Sequence, residues 1–328
     1  MSNVMSGFSR SGQHRREMWV GVAIAALFAA LAIARPEYFG RGNLIDLFLA
    51  NVAVLVIAAG MTVVMLAGEI DISVGSVFAV CAVAAGVLAK TGAPILLVFA
   101  AVCGLGAIAG ALNGTLVAYL RLPSIVVTLA MMIVLRDSLR WITQGAWVQD
   151  LPSDFQWLGL SQATYPFAAG LLAAAIVASL AWGLRYTAAG RLVYATGSSR
   201  DAARLAGVNT SFVTLCAFGF LGALTGLAAV LNAMRFNQVP ANTGLGLELK
   251  VIAAVVVGGT AITGGRGTLA GTVLGVVLLG AIGPALTFLG VSAYWERAIQ
   301  GAIILVAVAA DALPRVTQRH ASLRQARA

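Results

Sequence analysis

The chain has 328 residues, of which 60% are hydrophobic and 10% are charged, with a mean hydropathy of +0.94. Soluble globular proteins are about 25% charged, so this composition excludes a soluble globular domain and predicts an integral membrane protein. The formal net charge of +9 comes from scattered residues. That scatter argues against nucleic-acid binding and is typical of Lys and Arg left on cytoplasmic loops.

The apolar runs are continuous rather than alternating, which predicts an all-α protein with about ten membrane-spanning helices. Residues 1–17 are polar and basic, as expected of a cytoplasmic tail. The run that follows has features of a signal peptide, but the many later spans favour an uncleaved first span. We predict one transmembrane domain over 18–312 and a basic cytoplasmic tail over 313–328. The candidate spans are 18–34, 45–66, 74–90, 94–117, 124–141, 165–184, 212–232, 249–263, 268–289 and 294–312.

Arginine is most frequent in the two tails and in the loop at 185–210. Because positively charged residues favour the cytoplasmic side, this pattern predicts that both termini lie inside the cell. The loop at 185–210 then joins span six to span seven in the cytoplasm. The loops at 142–164 and 233–248 are expected on the outer side.

Two carboxylates, Glu69 and Asp71, interrupt the apolar sequence between spans two and three. A charge near hydrocarbon costs from about 3 kcal/mol upward unless it is paired or faces water or protein. Glu69 and Asp71 are two positions apart, and polar and apolar residues alternate from Glu69 to Ser73. This alternation favours a short extended break over a continuous helix. We interpret the segment as a structural hinge at the inner mouth, framed by Gly68 and Gly75, rather than a substrate or proton site.

A second glycine-rich segment, at 259–268, also interrupts an apolar run and precedes a helix of small residues. Interrupted segments in two halves of a transporter often mark the pathway. The two segments share few identities, so the similarity is equally consistent with chance.

Several kinds of catalytic site have no sequence support. The chain has no phosphate-binding loop ending in Lys-Ser or Lys-Thr, no nucleophile motif and no zinc-ligand spacing. Its two histidines, His14 and His320, lie in the polar tails. We therefore expect no enzymatic activity, no metal site and no cofactor bound by this chain.

The loop at 185–210 contains the signals of a short helix. Ser199 suits the N-cap, Asp201 suits the first turn and Gly207 suits the stop, which predicts about two helical turns. Such a helix is too short to be stable alone in water, so it requires a partner. One alternative is an interfacial helix that places Arg200 and Arg204 against anionic lipid.

The sequence resembles the membrane permeases of bacterial ABC sugar importers, of the ribose and autoinducer-2 type, over about residues 18–312. The resemblance is carried by GEIDISVGS at 68–76, NGTLVAYLRLPSIVVTL at 113–129, the loop at 190–209, GLGLELKVIAAVVVGG at 244–259 and GGRGT at 264–268. The segments WVQDLP at 147–152 and PANTGLGLE at 240–248 are most similar to the first of the two autoinducer-2 permeases, or to a close rhamnose-type relative.

This resemblance implies a permease of the bacterial inner membrane that pairs with itself or with a paralogue. The pair would link a periplasmic sugar-binding protein to cytoplasmic ATPase subunits, which hold ATP and Mg. The loop at 185–210 would supply the helix that couples the permease to the ATPase. Gly197 and Gly207 would set its ends, and Leu205 and Val208 would be its apolar anchors. The coupling set is Gly190, Arg191, Gly197, Ser199, Asp201, Arg204, Leu205, Gly207 and Val208.

Polar groups on the outer side are candidates for contact with the binding protein or with a passing sugar, or else they lie in a solvated loop. Trp147 is more typical of an interfacial anchor. Asn113 lies in a helix of small residues, where an interhelical hydrogen bond is favoured over solute contact. The candidate pathway set is Asn113, Trp147, Gln238, Asn242, Thr243 and Glu248.

Three alternatives remain at this point. A branched-chain amino acid permease of the same superfamily would favour fixed charges in its pathway, whereas a sugar needs mostly amides and hydroxyls. A proton-driven secondary transporter would use Glu69 and Asp71 as a relay and would need no ATPase. A non-transporting scaffold predicts that changes at Gly207 or Arg204 leave solute uptake untouched. The identity of the sugar does not follow from the sequence.

Overall fold

A computed structural model of the chain describes residues 2–292, 294–303 and 305–306, and the side chains from residue 16 onward. The described residues are mostly helical and contain no strand, apart from one isolated bridge between Val148 and Val239. The predicted all-α fold is therefore confirmed. The α-helices are α1 Ser2–Ala34, α2 Arg41–Leu66, α3 Val74–Lys90, α4 Ile95–Ala118, α5 Ser124–Thr143, α6 Tyr165–Tyr186, α7 Ala188–Ser198, α8 Arg200–Leu205, α9 Thr210–Ala233, α10 Leu247–Val257 and α11 Leu269–Phe288.

Six of the described helices are long and apolar enough to cross a membrane: α1, from Arg16 onward, and α2, α4, α6, α9 and α11. The helix α3 is apolar but has only 17 residues. In α5 the C-terminal half carries Arg136, Asp137 and Arg140. The end of the tenth candidate span and the tail at 313–328 lie outside the described residues.

The helices α2 and α9 form the centre of the bundle, and most of their side chains are buried. Large apolar residues such as Met61 and Phe218 are fully enclosed there. In contrast, α1 and α6 expose most of their surface. In a bilayer the exposed apolar faces contact lipid, so exposed leucines are expected there. A buried polar group instead indicates a specific contact inside the protein.

The close approach of α4 to α9 depends on glycine. A Cβ atom at Gly222 of α9 would meet the backbone of Gly106, and one at Gly110 of α4 would meet the Phe218 carbonyl oxygen. Small residues at such crossings let two backbones pack directly in a membrane, where no hydrophobic force drives helices together. Gly106, Gly110 and Gly114, each four residues apart, therefore form the helix-packing face of the run of small residues at 104–114.

The predicted span at 249–263 is wrong at both ends, because α10 covers only Leu247–Val257. Residues 258–268 form turns in which Gly259, Gly264 and Gly265 have positive φ angles that other residues rarely adopt. Eleven helical residues rise about 16 Å, roughly half of a 30 Å hydrocarbon layer. The helix α10 is therefore a half-length element.

The two loops predicted on the outer side, at 142–164 and 233–248, are joined by backbone hydrogen bonds. Val148 and Val239 exchange N–H···O bonds of 3.1 and 2.8 Å, and the Leu151 N–H donates to the Asn237 carbonyl at 3.1 Å. Val239 and Ala241 are buried. The segment at 233–248 is thus packed into the protein along part of its length, which corrects the expectation of a simple outer loop.

Candidate functional site

The non-helical residues 67–73, here called the inner break, separate α2 from α3. Gly68 has a φ of +85°, which favours glycine and allows the chain to turn sharply after α2. Asp71 and Ser73 are buried. The Asp71 carboxylate accepts hydrogen bonds from the Ser73 N–H at 2.8 Å and from the Ser73 hydroxyl at 2.6 Å. The predicted break between the helices is present.

Asn113 of α4 completes this polar group. Its side-chain amide donates to the Ser73 hydroxyl at 2.9 Å and to the second Asp71 oxygen at 3.4 Å. Asn113 has no exposed surface, so it bridges α4 to the inner break and does not line an open pathway in this conformation. Asn113 therefore forms a buried hydrogen bond to the non-helical inner break, where the sequence had favoured a bond between two helices.

Replacing Asp71 by asparagine is expected to impair assembly or ATP-dependent uptake without changing solute preference. An amide at this position replaces one acceptor by a donor, which then faces either the Ser73 N–H or the Asn113 amide. A buried group left unpaired in this way costs about 1–3 kcal/mol. The measurement is the amount of folded permease in the membrane, followed by uptake of competing sugars. A changed sugar preference with normal assembly would contradict the structural role.

Gly75 does not frame the inner break, as the sequence suggested, because it lies in the first turn of α3. A Cβ atom there would collide with the Glu248 carboxylate and with the Gly244 carbonyl oxygen. The absence of a side chain at Gly75 therefore allows the start of α10 to pack against α3. This role depends on a contact across 170 residues of sequence, which local pattern does not reveal.

Glu69 is buried and forms an ion pair with Arg200, the first residue of α8. The same guanidinium nitrogen lies 3.4 Å from the Thr214 hydroxyl of α9. The carboxylate that had no basic neighbour in the sequence thus has one in the fold. Arg200 points into the protein, which disagrees with the alternative of a helix that lays both arginines on lipid.

The loop at 185–210 contains two helices rather than one. In α7 the Thr187 hydroxyl caps the N-terminus by accepting from the Gly190 N–H at 3.2 Å. Tyr194 of α7 donates its hydroxyl to the Gly267 carbonyl at 2.9 Å, and burial raises the pKa of Tyr194. The phenol therefore stays a neutral donor that fixes α7 on the turns at 258–268.

The predicted short helix is present as α8. The Ser199 hydroxyl accepts from the Ala202 N–H at 3.3 Å, Asp201 occupies the first turn, and Gly207 follows the helix with a φ of +81°. Leu205 at its end is 91% exposed, although it is a large apolar side chain. The helix thus presents an apolar tip away from the bundle.

The other members of the coupling set are divided between packed and exposed positions. Gly197 lies inside α7, where a Cβ would collide with the Leu66 carbonyl oxygen, so it is a packing residue and not the start of the coupling helix. Val208 packs against the hydrophobic core and is not a free anchor. Arg204 is exposed but donates to the Thr210 hydroxyl at 3.0 Å. Gly190 is buried, and Arg191 is exposed.

The inner break, the end of α7 and the turns at 258–268 meet at one place. The Gly265 N–H donates to the Leu66 carbonyl at 2.9 Å. A Cβ at Gly264 would meet the Gly68 backbone. The two interrupted segments that looked alike in the sequence are therefore direct neighbours.

The outer candidate residues separate into two groups. Trp147, Gln238 and Asn242 are exposed at the outer loops. Thr243 and Glu248 are half-buried where the chain enters α10, and one Glu248 carboxylate oxygen accepts from the Gly246 N–H at 3.2 Å. The other Glu248 oxygen is buried without a hydrogen-bond partner.

Arg136 is a buried residue of α5 that was not among the predicted site residues. Its guanidinium donates to the Thr243 carbonyl at 3.0 Å and so ties α5 to the segment before α10. Asp137 and Arg140, near the same end of α5, form an exposed pair at 3.4 Å. The sequence signal that could have identified Arg136 is its position one helical turn before Arg140, directly after the apolar residues 129–135.

A cavity of about 590 Å³ lies between α2, the start of α10 and the helical residues 295–303. A second cavity, of about 530 Å³, adjoins it and shares Asn232 and Lys250 with it. Lys250 lies 3.6 Å from Glu296, and both residues line both cavities. The polar side chains of the first cavity are Asn232, Thr243, Lys250, Ser292, Tyr294, Glu296, Arg297 and Gln300.

Of the predicted pathway residues, only Thr243 lines the larger cavity. Asn232, Lys250, Glu296 and Gln300 were not among them. Each lies in or beside an apolar run, where a polar residue is unusual enough to indicate a cavity or a partner. Among the described residues, no three His, Cys, Asp or Glu side chains form a group that could hold a metal ion.

Comparison with known proteins gives a consistent result. Residues 43–308 match the family described as "Branched-chain amino acid transport system / permease component". The chain is 36% identical over 293 residues to the "Autoinducer 2 import system permease protein LsrC" of Yersinia pseudotuberculosis serotype IB (strain PB1/+), covering 89% of this chain and 84% of that protein. It is also 36% identical over 299 residues to the protein of that name from Escherichia coli (strain K12 / DH10B), covering 91% and 87%. No solved structure matches the chain.

Proposed function

This chain belongs to the branched-chain amino acid transport system / permease component family, and on that premise we propose how it works as the permease subunit of a sugar-type ABC importer. It is a multi-pass protein of the bacterial inner membrane. The structural observation that carries the mechanism is α8, a capped helix with Leu205 exposed at its tip. A large apolar side chain held out by a rigid cap is typical of a docking anchor.

The partners follow from the family. A permease of this kind works with an ATPase and a periplasmic binding protein. We propose that ATP and Mg are held by the ATPase, that α8 docks on it, and that a second permease completes the pathway. The proposed topology has about ten spans with both termini in the cytoplasm. The arginines of the loop at 185–210 support that orientation.

The solute is proposed to be autoinducer-2 or a similar small polyhydroxylated compound. Two observations support this: the names of the relatives quoted above, and the amides and hydroxyls around the larger cavity. A branched-chain amino acid permease is not favoured, because relatives at 36% identity over about nine-tenths of the chain are sugar-type permeases.

The larger cavity is the proposed entry part of the solute pathway. Its lining combines the exposed backbone of 243–247 with Asn232 and Gln300, which offer both donors and acceptors. Lys250 and Glu296 neutralise each other at 3.6 Å. Arg297, which also lines the cavity, donates to the Leu245 carbonyl at 3.4 Å and leaves one positive charge among these lining residues. Irregular backbone at membrane depth is stable where it borders such a polar cavity.

A proton-driven mechanism is less well supported than an ATP-driven one. Glu69 is paired with Arg200, and Asp71 accepts hydrogen bonds from Ser73 and Asn113. A relay needs groups that bind and release protons with access to water, whereas both carboxylates are buried and have fixed partners.

Reconstitution into vesicles tests the proposal. The permease, with its cognate ATPase and autoinducer-2-loaded binding protein, is expected to accumulate labelled autoinducer-2 only when ATP is supplied on the ATPase side. Collapse of the proton gradient is expected to leave uptake unchanged. Asn232→Leu removes a polar group from the proposed pathway and is expected to slow uptake while the ATPase stays bound.

Two results would overturn this function. Uptake without any ATPase, abolished by a proton ionophore, would indicate a secondary transporter. Uptake of leucine but not of sugars in competition assays would indicate an amino acid permease. Leu171→Ala, at a residue exposed on the outer face of α6, serves as the control for Asn232→Leu.

A further inference from the structure

Arg200 connects α8 to the centre of the bundle rather than to its surroundings. The Glu69 side chain that it pairs with is 8% exposed, whereas the Arg200 side chain is 37% exposed. The second contact of Arg200, with the Thr214 hydroxyl, adds α9. One guanidinium therefore joins the first residue of α8 to the inner break and to the helix that follows.

The inner break is itself tied to three other helices. The Glu69 N–H donates to the Val64 carbonyl of α2 at 3.1 Å, and the Ile70 N–H lies 3.4 Å from the Ser124 hydroxyl of α5. Asp71 and Ser73 connect to Asn113 of α4. The inner break is thus connected to α2, α4 and α5 by hydrogen bonds of 2.9–3.4 Å.

An ion pair between the buried Glu69 and the partly exposed Arg200 is suited to this connection. The planar guanidinium has fixed donor directions, and its interaction with a carboxylate is strong where water is excluded. Removing one partner leaves an uncompensated charge in the protein, whereas an apolar contact would let the two elements slide. The pair therefore holds α8 and the inner break in one relative position.

We propose that Glu69 and Arg200 are positioning residues that transmit movement of α8 to the inner ends of α2, α4 and α5. The inference rests on the proposed function of α8 as the ATPase-docking helix. It assigns different tasks to two residues of one short helix. Leu205 holds the ATPase, and Arg200 passes the resulting motion into the membrane domain.

Charge exchange tests the pair in the assembled importer. Glu69→Arg and Arg200→Glu, each alone, are expected to retain bound ATPase and basal ATP hydrolysis. Each is expected to lower stimulation of hydrolysis by the autoinducer-2-loaded binding protein about tenfold. The double variant E69R/R200E restores the opposite charges and is expected to recover stimulation to within about threefold of the wild type.

Neutral variants cover the case in which a single charge reversal prevents folding. The double variant E69Q/R200Q keeps similar side-chain volumes and leaves no bare charge. It is expected to assemble with the ATPase and still to lose stimulation about tenfold. Arg185→Glu is the matched control, since Arg185 is exposed near the end of α6, beside the same loop, and is expected to behave as the wild type.

The outcomes separate the two proposals. A charge-exchanged variant no better than the single variants, or an E69Q/R200Q variant with normal stimulation, overturns the transmission role alone. Loss of the ATPase from Arg200→Glu would make Arg200 a docking residue and would also overturn it. A wild-type permease that binds no ATPase would overturn the proposed function, and this inference with it.

Discussion

Replacing Leu205 by alanine is expected to lower ATP-dependent uptake about 30-fold, because a central apolar anchor contributes about 2 kcal/mol or more to an interface. The substitution should leave the permease itself stable. Leu205 is 91% exposed, so its truncation creates no cavity and removes no internal contact. Alanine also suits a helix, and Ser199 continues to cap α8. The measurements are uptake in vesicles and the amount of ATPase that purifies with the permease.

Leu120→Ala is the matched control for this prediction. Leu120 is 62% exposed in the turn between α4 and α5. That turn lies beside the start of α9, where the Ser211 hydroxyl donates to the Ala118 carbonyl at 3.1 Å. Both variants therefore remove the same exposed side chain at the same end of the bundle. If Leu120→Ala loses as much ATPase as Leu205→Ala, α8 is not the specific docking element.

The short helix α8 could be predicted from the sequence because its determinants are local. Ser199, Asp201 and Gly207 lie within nine residues, and each acts on backbone groups one turn away. Leu205 and Val208 were both expected as apolar anchors from the family resemblance, but only Leu205 is exposed, since Val208 packs against the core. The direction of Arg200 could not be predicted, because its partner Glu69 is 131 residues away in the sequence.

The inner break shows the same division between local and distant determinants. Gly68 and the spacing of Glu69 and Asp71 predicted that a helix would stop there. Gly75 was misassigned because its requirement comes from Glu248 and Gly244, which only the fold brings into contact. Most of the candidate site is formed by contacts between segments that are distant in the sequence. The sequence pattern of one segment can therefore show where the site begins, but not which residues from other segments contact it.

The span boundaries illustrate a related limit. Hydropathy predicted 249–263 as a span because the residues after Val257 remain small and uncharged as far as Arg266. The glycines in that stretch stop the helix, since they adopt positive φ angles and pack against other backbone. Hydropathy measures the preference for lipid, whereas the helix end depends on backbone conformation.

Replacing Gly222 by valine is expected to prevent normal assembly of the membrane domain. Its Cβ would collide with the Gly106 carbonyl group of α4, and no side-chain movement relieves a collision with backbone. Each extra carbon group forced into a packed core typically costs about 1–3 kcal/mol of stability, and valine adds several such groups. We therefore expect the free energy of unfolding to fall by about 3 kcal/mol or more. In detergent this corresponds to a thermal midpoint about 10 °C lower, or to no folded protein at all.

Gly104→Val tests whether the effect of Gly222→Val depends on packing. Gly104 lies in α4, two residues before Gly106, but a Cβ atom there meets nothing within 4 Å. Both variants add the same β-branched side chain to an apolar helix, so their intrinsic helix penalties are equal. Thermal midpoints within a few degrees for wild type and Gly104→Val, against a large drop for Gly222→Val, are expected. Equal drops would mean that valine acts through helix propensity, and that the α4–α9 crossing does not require glycine.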